Sequence, residues 1–95
     1  MIKHVVFFKL QNGSDDSREI LKNKLEAMRG EIETLKSIEV GIDTNRSDRA
    51  WDVCLITEFD TKEDLKSYAS NPIHLEVIKY IKSNNIVTSV VDYET

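Results

Sequence analysis

The stretch CLITEFDTKEDLKSYASNPIHLEVIKYI, residues 54–81, decides the fold, because it places a strand and two helices in direct succession. The apolar run that contains its first residues predicts a strand over residues 51–59. Thr61, just beyond that run, has the side chain of a helix N-cap and predicts a short helix. Pro72, the only proline of the chain, suits a first helical turn, so a further helix is predicted to about Lys82.

The rest of the chain adds three more strands and a long helix around this stretch. The N-terminal run MIKHVVFFKL predicts a strand over residues 2–10. Ser14 is a candidate N-cap, and the helix that follows it is predicted to reach about Lys36. Further strands are predicted over residues 38–44 and 86–93. One apolar stripe with helical spacing supports the long helix: Leu21, Leu25, Met28, Ile32 and Leu35.

The predicted order, β-α-β-β-α-α-β, is typical of one α+β domain over residues 1–95 with a ferredoxin-like sandwich fold. In such a fold a four-stranded antiparallel sheet carries its helices on one face. The segments VVFF, VCLI and VV, however, place apolar side chains on both faces of the sheet. An uncovered apolar face of this kind is unusual for a monomer. We therefore expect a homodimer whose subunits meet through the free sheet face.

The composition argues against several other classes of protein. The chain has 13 basic and 17 acidic residues, a net charge of -4 and no dense basic patch, so nucleic-acid binding is not expected. No apolar run approaches the about 18 residues of a membrane span, and the N-terminus does not resemble a signal peptide, so we expect a cytoplasmic protein. Neither a metal-binding spacing nor a glycine-rich phosphate loop is present, so no metal or cofactor is expected. The single cysteine, Cys54, lies in an apolar run and is interpreted as a structural thiol.

Three polar side chains could share one cavity beneath the helices. His74 has apolar residues three, four and seven positions later, so it lies on or beside the buried stripe of its helix. Tyr68 follows Leu65 by three residues and therefore also faces inward. His4 lies on one face of the first strand, and Asp92 is a carboxylate near the end of the apolar last strand. If His4 faces the helices, these groups could meet.

Such a set would suit the removal of a proton next to a carbonyl group. Histidine exchanges protons near neutral pH, a carboxylate can fix its tautomer, and a tyrosine hydroxyl can donate to a developing oxyanion. A purely structural interpretation is favoured by the residues alone, because inward histidines and tyrosines are usually hydrogen-bonded members of a core. In that interpretation Asp92 caps or pairs at the sheet end, and Asn71 before Pro72 is a common helix-start device.

A resemblance to a known family covers nearly the whole chain. It is carried by four segments: MIKHVVFFKL, IEVGID, residues 54–81 and the closing VVDYE. The chain resembles the stress-responsive A/B barrel domain family, called Dabb. The resemblance implies a ferredoxin-like protomer that pairs sheet to sheet into a dimeric α/β barrel. It also implies that His74 is a general base, Tyr68 its oxyanion partner, Asp92 the group that orients His74, and His4 a polar wall of the cavity.

The resemblance implies a stress-associated protein that binds a small apolar or carbonyl-containing ligand in a His/Tyr cavity between sheet and helices. Whether it is an enzyme stays open: one alternative is a cofactor-free lyase, cyclase or isomerase, and another, by fold alone, is a cofactor-free monooxygenase or a haem-handling protein. Many relatives have a histidine in place of Asn71, and the plant polyketide cyclases of the family have one in place of Val53, so a less polar cavity is expected. The residues expected to line it are His4, Val6, Phe8, Val53, Leu65 and Ile78.

Overall fold

A computed structural model describes all 95 residues of the chain as four strands and three helices. The elements are, in chain order, β1 (Ile2–Lys9), α1 (Asp15–Glu26), β2 (Ser37–Ile42), β3 (Val53–Phe59), α2 (Lys62–Ser70), α3 (Pro72–Ser83) and β4 (Val87–Glu94). The strands form one antiparallel sheet in the order β2-β3-β1-β4. This arrangement confirms the predicted ferredoxin-like α+β fold. None of the helices is both long enough and apolar enough to cross a membrane.

The hydrophobic core lies between the helices and one face of the sheet, which we call the near face. Strand residues alternate between the two faces, and cross-strand partners such as Val6 and Leu55 both point to the near face. Leu21 and Leu25 of α1 are at most 1% exposed, so the core is closed on the α1 side. The core consists of fifteen buried hydrophobic residues: Ile2, Val6, Phe8, Leu21, Leu25, Met28, Ile32, Ile38, Val40, Val53, Leu55, Phe59, Tyr68, Val77 and Ile81.

Helix α1 is shorter than the sequence pattern predicts, because it ends at Glu26 rather than near Lys36. Beyond Glu26 the chain winds more tightly, and the N–H of Met28 donates to the carbonyl of Leu25 over 3.1 Å. Gly30 then adopts a φ of +77°, a left-handed conformation that favours glycine and ends helices. The predicted apolar stripe continues through this turn, since Met28 remains fully buried.

A buried ion pair joins α1 to the start of β3. Arg18 Nη2 donates to Asp52 Oδ1 over 2.6 Å, and the two side chains are only 8% and 4% exposed. The other oxygen of the same carboxylate accepts from the N–H of Leu10 over 2.7 Å. Gly13 passes so close that a Cβ there would lie 3.1 Å from Asp52 Oδ1. One carboxylate therefore fixes both the helix and the turn that precedes it.

The opposite face of the sheet, the far face, carries apolar side chains that no helix covers. Phe7 of β1 is 45% exposed, and Val91 of the neighbouring β4 is 64% exposed. Strand β4 forms one edge of the sheet and is exposed along all eight of its residues. The predicted apolar character of both sheet faces is thus observed, and the far face is free in the single subunit.

Candidate functional site

A cavity of about 170 Å³ lies between the near face of the sheet and the helices, and exposed residues of the edge strand β4 line its open side. Ten of its thirteen lining residues are hydrophobic, and it brings together both histidines of the chain and a tyrosine. Its lining residues are His4, Val6, Phe8, Leu25, Met28, Leu55, Tyr68, His74, Val77, Ile78, Ile81, Thr88 and Val90. The space is large enough for several water molecules or for a small organic ligand. We call it the His/Tyr cavity.

A one-residue break between two helices positions the main polar groups of the cavity. Helix α2 ends at Ser70 and α3 begins at Pro72, so Asn71 alone separates them. Asn71 is the N-cap of α3, since its Oδ1 accepts from the N–H of Ile73 over 2.9 Å. Pro72 follows at the first helical position, where a missing N–H costs nothing. The structure therefore gives Asn71 the helix-start role that the sequence allowed.

The same break fixes the tautomer of His74. In a continuous helix the carbonyl of Ala69 would accept from the N–H of Ile73, but Asn71 binds that N–H instead. His74 Nδ1 lies 3.1 Å from the oxygen of Ala69 and takes the place of the missing donor. A carbonyl oxygen can only accept, so Nδ1 carries the proton and neutral His74 has its lone pair at Nε2. This nitrogen has no hydrogen-bond partner in the protein.

The surroundings of His74 keep its ring neutral at neutral pH. Burial lowers the pKa of His74 below its usual value of 6.5, the hydrogen bond to Ala69 raises it in part, and the nearby His4 lowers it again. A neutral imidazole with a free Nε2 can accept a hydrogen bond or a proton from a ligand.

Tyr68 supplies the donor that complements this acceptor. Its ring is only 1% exposed and lies against Phe59 and His74, with centroid separations of 4.9 Å and 4.3 Å. Its hydroxyl lies 3.9 Å from Met28 Sδ, a thioether that accepts hydrogen bonds only weakly. Burial raises the pKa of Tyr68, so the hydroxyl stays protonated. A carbonyl oxygen in the cavity could replace the sulfur as a better acceptor.

The second histidine, His4, pairs with a carboxylate across the sheet. His4 and Asp92 are directly opposite in the β1–β4 register, and Nδ1 of His4 lies 2.5 Å from Oδ1 of Asp92. The His4 side chain is 15% exposed and that of Asp92 is 46% exposed, so the carboxylate lies at the rim. The His4 ring lies 6.1 Å from that of Tyr68, centroid to centroid. With Nδ1 bound to the carboxylate, Nε2 of His4 is the nitrogen left for a ligand.

The structure brings together most of the predicted site residues, but not all of them. Asp92 is bound to His4, whereas it was expected to orient His74, which the backbone holds instead. Val53 and Leu65 do not line the cavity: Val53 borders a surface pocket on the far side, and Leu65 lines an outer groove. The predicted residues that do line the cavity are His4, Val6, Phe8, Tyr68, His74 and Ile78.

Strand β4 contributes two cavity residues that the sequence reasoning missed. Thr88 and Val90 lie on the near face, because they alternate with far-face residues in the same way as Asp92. This alternation along the strand is the sequence signal from which Thr88 and Val90 could have been identified. Met28, a member of the apolar stripe that predicts the first helix, also supplies the sulfur that faces the Tyr68 hydroxyl.

Chemically, the cavity offers an apolar space with two imidazoles as proton acceptors and the hydroxyl of Tyr68 as a hydrogen-bond donor. It could bind a carbonyl compound by donation from Tyr68 and could accept a proton at Nε2 of His74 or His4. No three side chains among the His, Cys, Asp and Glu residues lie together in a way that could hold a metal ion.

The fold and the cavity together define a ferredoxin-like α+β protein with a ligand-sized space under its helices. Residues 2–95 match the stress responsive A/B barrel domain, so the chain belongs to the Dabb family. No curated protein is significantly similar to this sequence.

Similar solved structures come from several bacteria. A dimeric protein of unknown function and ferredoxin-like fold from Bacteroides fragilis is 31% identical, and the similarity covers 99% of this chain and 95% of that one with a TM-score of 0.82. A dimeric ferredoxin-like protein of unknown function from Thermobifida fusca is 20% identical over 99% and 90% of the two chains, with a TM-score of 0.81. A Deinococcus radiodurans structure, provisionally described as an antibiotic biosynthesis monooxygenase, is 19% identical over 99% and 90%, with a TM-score of 0.69. At such identities the last two show the fold alone.

Proposed function

We propose that the protein binds a small apolar or carbonyl-containing ligand in the His/Tyr cavity. The observation that carries this proposal is an unfilled space of about 170 Å³ beside polar groups with unused hydrogen-bonding capacity. Protein cores are normally close-packed, and a thioether is a weaker partner than a buried hydroxyl usually has. A purely structural role for Tyr68 and His74 accounts for neither the space nor the weak sulfur partner of the hydroxyl.

An NMR titration with cyclohexanone, a compact apolar ring with one carbonyl group, tests the proposal. We expect saturable shift changes confined to cavity residues, with the largest changes at the rings of His74 and Tyr68. In Val90→Phe, a larger side chain at the open side of the cavity should fill the space and abolish these changes. Leu75→Phe, on the exposed outer side of α3, is the matched control and should leave them intact. A wild-type protein that shows no saturable change would contradict the proposal.

A second candidate function, catalysis of proton transfer next to a carbonyl group, is favoured by the orientation of His74. Its free Nε2 would take the proton from the carbon, and the electrons of the broken C–H bond would form an enolate. The hydroxyl of Tyr68 would donate to the enolate oxygen. Return of the proton from Nε2 to a different carbon completes an isomerisation. In an aldol-type cyclisation the enolate carbon instead forms a bond to a second carbonyl carbon of the same molecule, and the proton passes from Nε2 to the alkoxide that results. Neither reaction needs a redox partner.

Hydrogen–deuterium exchange at the carbons next to the carbonyl of cyclohexanone tests this candidate. We expect the protein to accelerate the exchange over buffer, and His74→Ala to reduce the acceleration by at least about tenfold. Tyr68→Phe keeps the ring but removes the donor and should also slow the exchange. Exchange no faster than in buffer alone would exclude catalysis with cyclohexanone as the substrate. The NMR titration would still test the binding proposal separately.

We further propose that two copies of the chain associate through their far faces into a dimeric α/β barrel. Val91 and Val87 are the most exposed apolar side chains on that face, and Phe7 of the neighbouring strand is also exposed. The 31% identical protein from Bacteroides fragilis is itself described as dimeric. Burial of the far face in a two-fold interface would remove the apolar surface that the single subunit leaves uncovered.

A further inference from the structure

The strand register arranges the far-face side chains in successive rows that run across the sheet. The row at one end contains Glu58 of β3 and Lys3 of β1, which are direct partners. The row at the other end contains Lys9 of β1 and Val87 of β4. The far face therefore has a fixed pattern of charge that a second copy of the chain must match.

The two edges of the far face also differ in shape. On the β2 side a surface pocket of about 360 Å³ opens beside Phe7 and Trp51, and five of its eight lining residues are hydrophobic. We call it the Trp51 pocket. It lies at the Lys9 end of the sheet, because Phe7 is the far-face residue next to Lys9. At the opposite edge, and at the same end of the sheet, Val87 is 57% exposed and projects into solvent.

Two copies can stack their far faces about a two-fold axis that runs in one of two directions. The strand order is β2-β3-β1-β4. An axis along the strands keeps each row at its own height and places β4 of one subunit over β2 of the partner. An axis across the strands reverses the order of the rows and places β4 over β4 of the partner.

The charges and the pocket both favour the axis along the strands. With this axis Lys3 faces the partner's Glu58, whereas with the other axis it faces the partner's Lys9. Opposite charges fix the orientation of an interface, and like charges placed together weaken it. The axis along the strands also brings the partner's Val87 over the Trp51 pocket, since both lie at the same end of the sheet and at opposite edges.

We propose that the two-fold axis of the dimer runs along the strands, so that β4 of each subunit docks on the β2 side of its partner with Val87 in the partner's Trp51 pocket. The inference rests on the proposed dimer and adds its orientation and its contacts. In this arrangement the free edge of β4 meets the free edge of the partner's β2 on both sides of the dimer. The barrel then closes without an exposed sheet edge.

Cysteine cross-linking with bismaleimidoethane, a short thiol-to-thiol reagent, tests the orientation. Cys54, the only native thiol, is first replaced by serine. Gly41→Cys and Ser89→Cys are then introduced together, because a Cβ at Gly41 has open space and Ser89 is exposed. These two positions lie in one row at opposite edges of the sheet, so the proposed axis places Gly41 beside the partner's Ser89. We expect a covalent dimer with twice the chain mass of 11.0 kDa on a denaturing gel.

Variants with a single cysteine distinguish the two axes. With Gly41→Cys alone or Ser89→Cys alone, a link requires the same position in both subunits. The proposed axis separates these positions by three strand spacings, roughly 14 Å, in addition to the gap of about 10 Å between the sheets, so no covalent dimer is expected. The axis across the strands would place each position over its own strand in the partner and would link both single variants. Leu75→Cys, on the exposed side of α3, controls for random collisions.

The fluorescence of Trp51 tests the same contact without introduced thiols, because Trp51 is the only tryptophan of the chain. Within one subunit β1 separates Val87 from β3, the strand that follows Trp51. Val87→Ser should therefore move the emission of the dimer to longer wavelength only if Val87 covers the partner's Trp51. The emission of Val90→Ser, a substitution on the near face of the same strand, should stay unchanged.

Light scattering on each variant separates the orientation from the dimer itself. Links in the single variants, or a dimeric double variant that gives no link, would overturn the orientation and leave the dimer intact. An unchanged emission in a dimeric Val87→Ser variant would overturn the Val87 contact in the same way. A wild-type protein that is monomeric would overturn the proposed dimer and this inference together.

Discussion

The rings of Tyr68 and His74 lie 4.3 Å apart, centroid to centroid, although the two residues belong to different helices. The break between these helices, at Asn71 and Pro72, produces this arrangement. Pro72 keeps Asn71 out of helical geometry, and the side chain of Asn71 then takes the N–H of Ile73, so the carbonyl of Ala69 is left free for Nδ1 of His74. The cap and the tautomer of the histidine are therefore coupled.

Replacement of Asn71 by alanine should affect both stability and the histidine ring. The loss of the cap should lower the free energy of unfolding by about 1 kcal/mol, measured by urea denaturation. The N–H of Ile73, released from Asn71, would then compete with His74 for the carbonyl of Ala69. We expect the nitrogen-15 shifts of the His74 ring to show a smaller fraction of the tautomer protonated at Nδ1.

Thr61→Ala provides the matched control for this prediction. Thr61 caps α2 by accepting from the N–H of Asp64 over 3.1 Å, so its loss should cost a similar amount of stability. It lies at the other end of α2 from Ala69 and should leave the His74 tautomer unchanged. Equal tautomer changes in the two variants would contradict the coupling.

The burial of His74 should make stability depend on pH. Its pKa in the folded protein lies below the unfolded value of 6.5, so the unfolded chain binds the proton more readily. This contribution to stability is complete above the unfolded pKa and is lost as the pH falls from there toward the folded pKa. Urea denaturation should therefore give a lower free energy of unfolding at about pH 5.5 than at about pH 7.5. His74→Gln, which keeps a donor near Ala69, should reduce this difference; an unchanged difference would contradict the assignment.

The Arg18–Asp52 pair should be strongly coupled. Arg18→Met leaves the buried carboxylate without its cation and should cost about 3–5 kcal/mol of unfolding free energy. The double variant Arg18→Met with Asp52→Leu removes the uncompensated charge as well, and should lose less than the sum of the two single variants. A double-mutant cycle in denaturant measures this coupling. Additive losses would show that the pair does not act as a unit.

The far face should control the oligomeric state. The chain has a mass of 11.0 kDa, and we expect light scattering after size-exclusion chromatography to give twice that value. Val91→Asp places a charge on the exposed apolar far face and should shift the protein to the monomer. Leu75→Asp introduces the same charge on the exposed side of α3 and should leave the dimer intact. A wild-type monomer would contradict the proposed association.

The order of the elements could be predicted because the local signals agree with one another. Thr61 and Asn71 cap helices where their side chains suggest, and strand residues alternate with period two. The end of α1 could not be predicted from its apolar stripe, since tight turns keep Met28 buried without helical geometry. Arg18 lies three residues before Leu21, on the same side of the helix as that stripe, so its burial could be predicted from the sequence. Its partner, Asp52, could not be predicted.

The contacts of the candidate site depend on strand register, which the pattern of one strand does not contain. Asp92 meets His4 because the two residues are opposite in the β1–β4 register. A different register would place the carboxylate beside another residue of β1. The periodicity of the sequence predicts that both histidines lie near the core. Only the three-dimensional structure shows that His4 is hydrogen-bonded to Asp92 and that His74 is hydrogen-bonded to the backbone carbonyl of Ala69.

The central claim, a ligand site in the His/Tyr cavity, is tested most directly by a crystal structure of the protein soaked with cyclohexanone. The account predicts the ring inside the cavity, with the carbonyl oxygen about 2.7–2.8 Å from the hydroxyl of Tyr68, which has turned away from Met28. A cavity closed by side chains, or a saturated crystal with cyclohexanone bound only elsewhere, would contradict it.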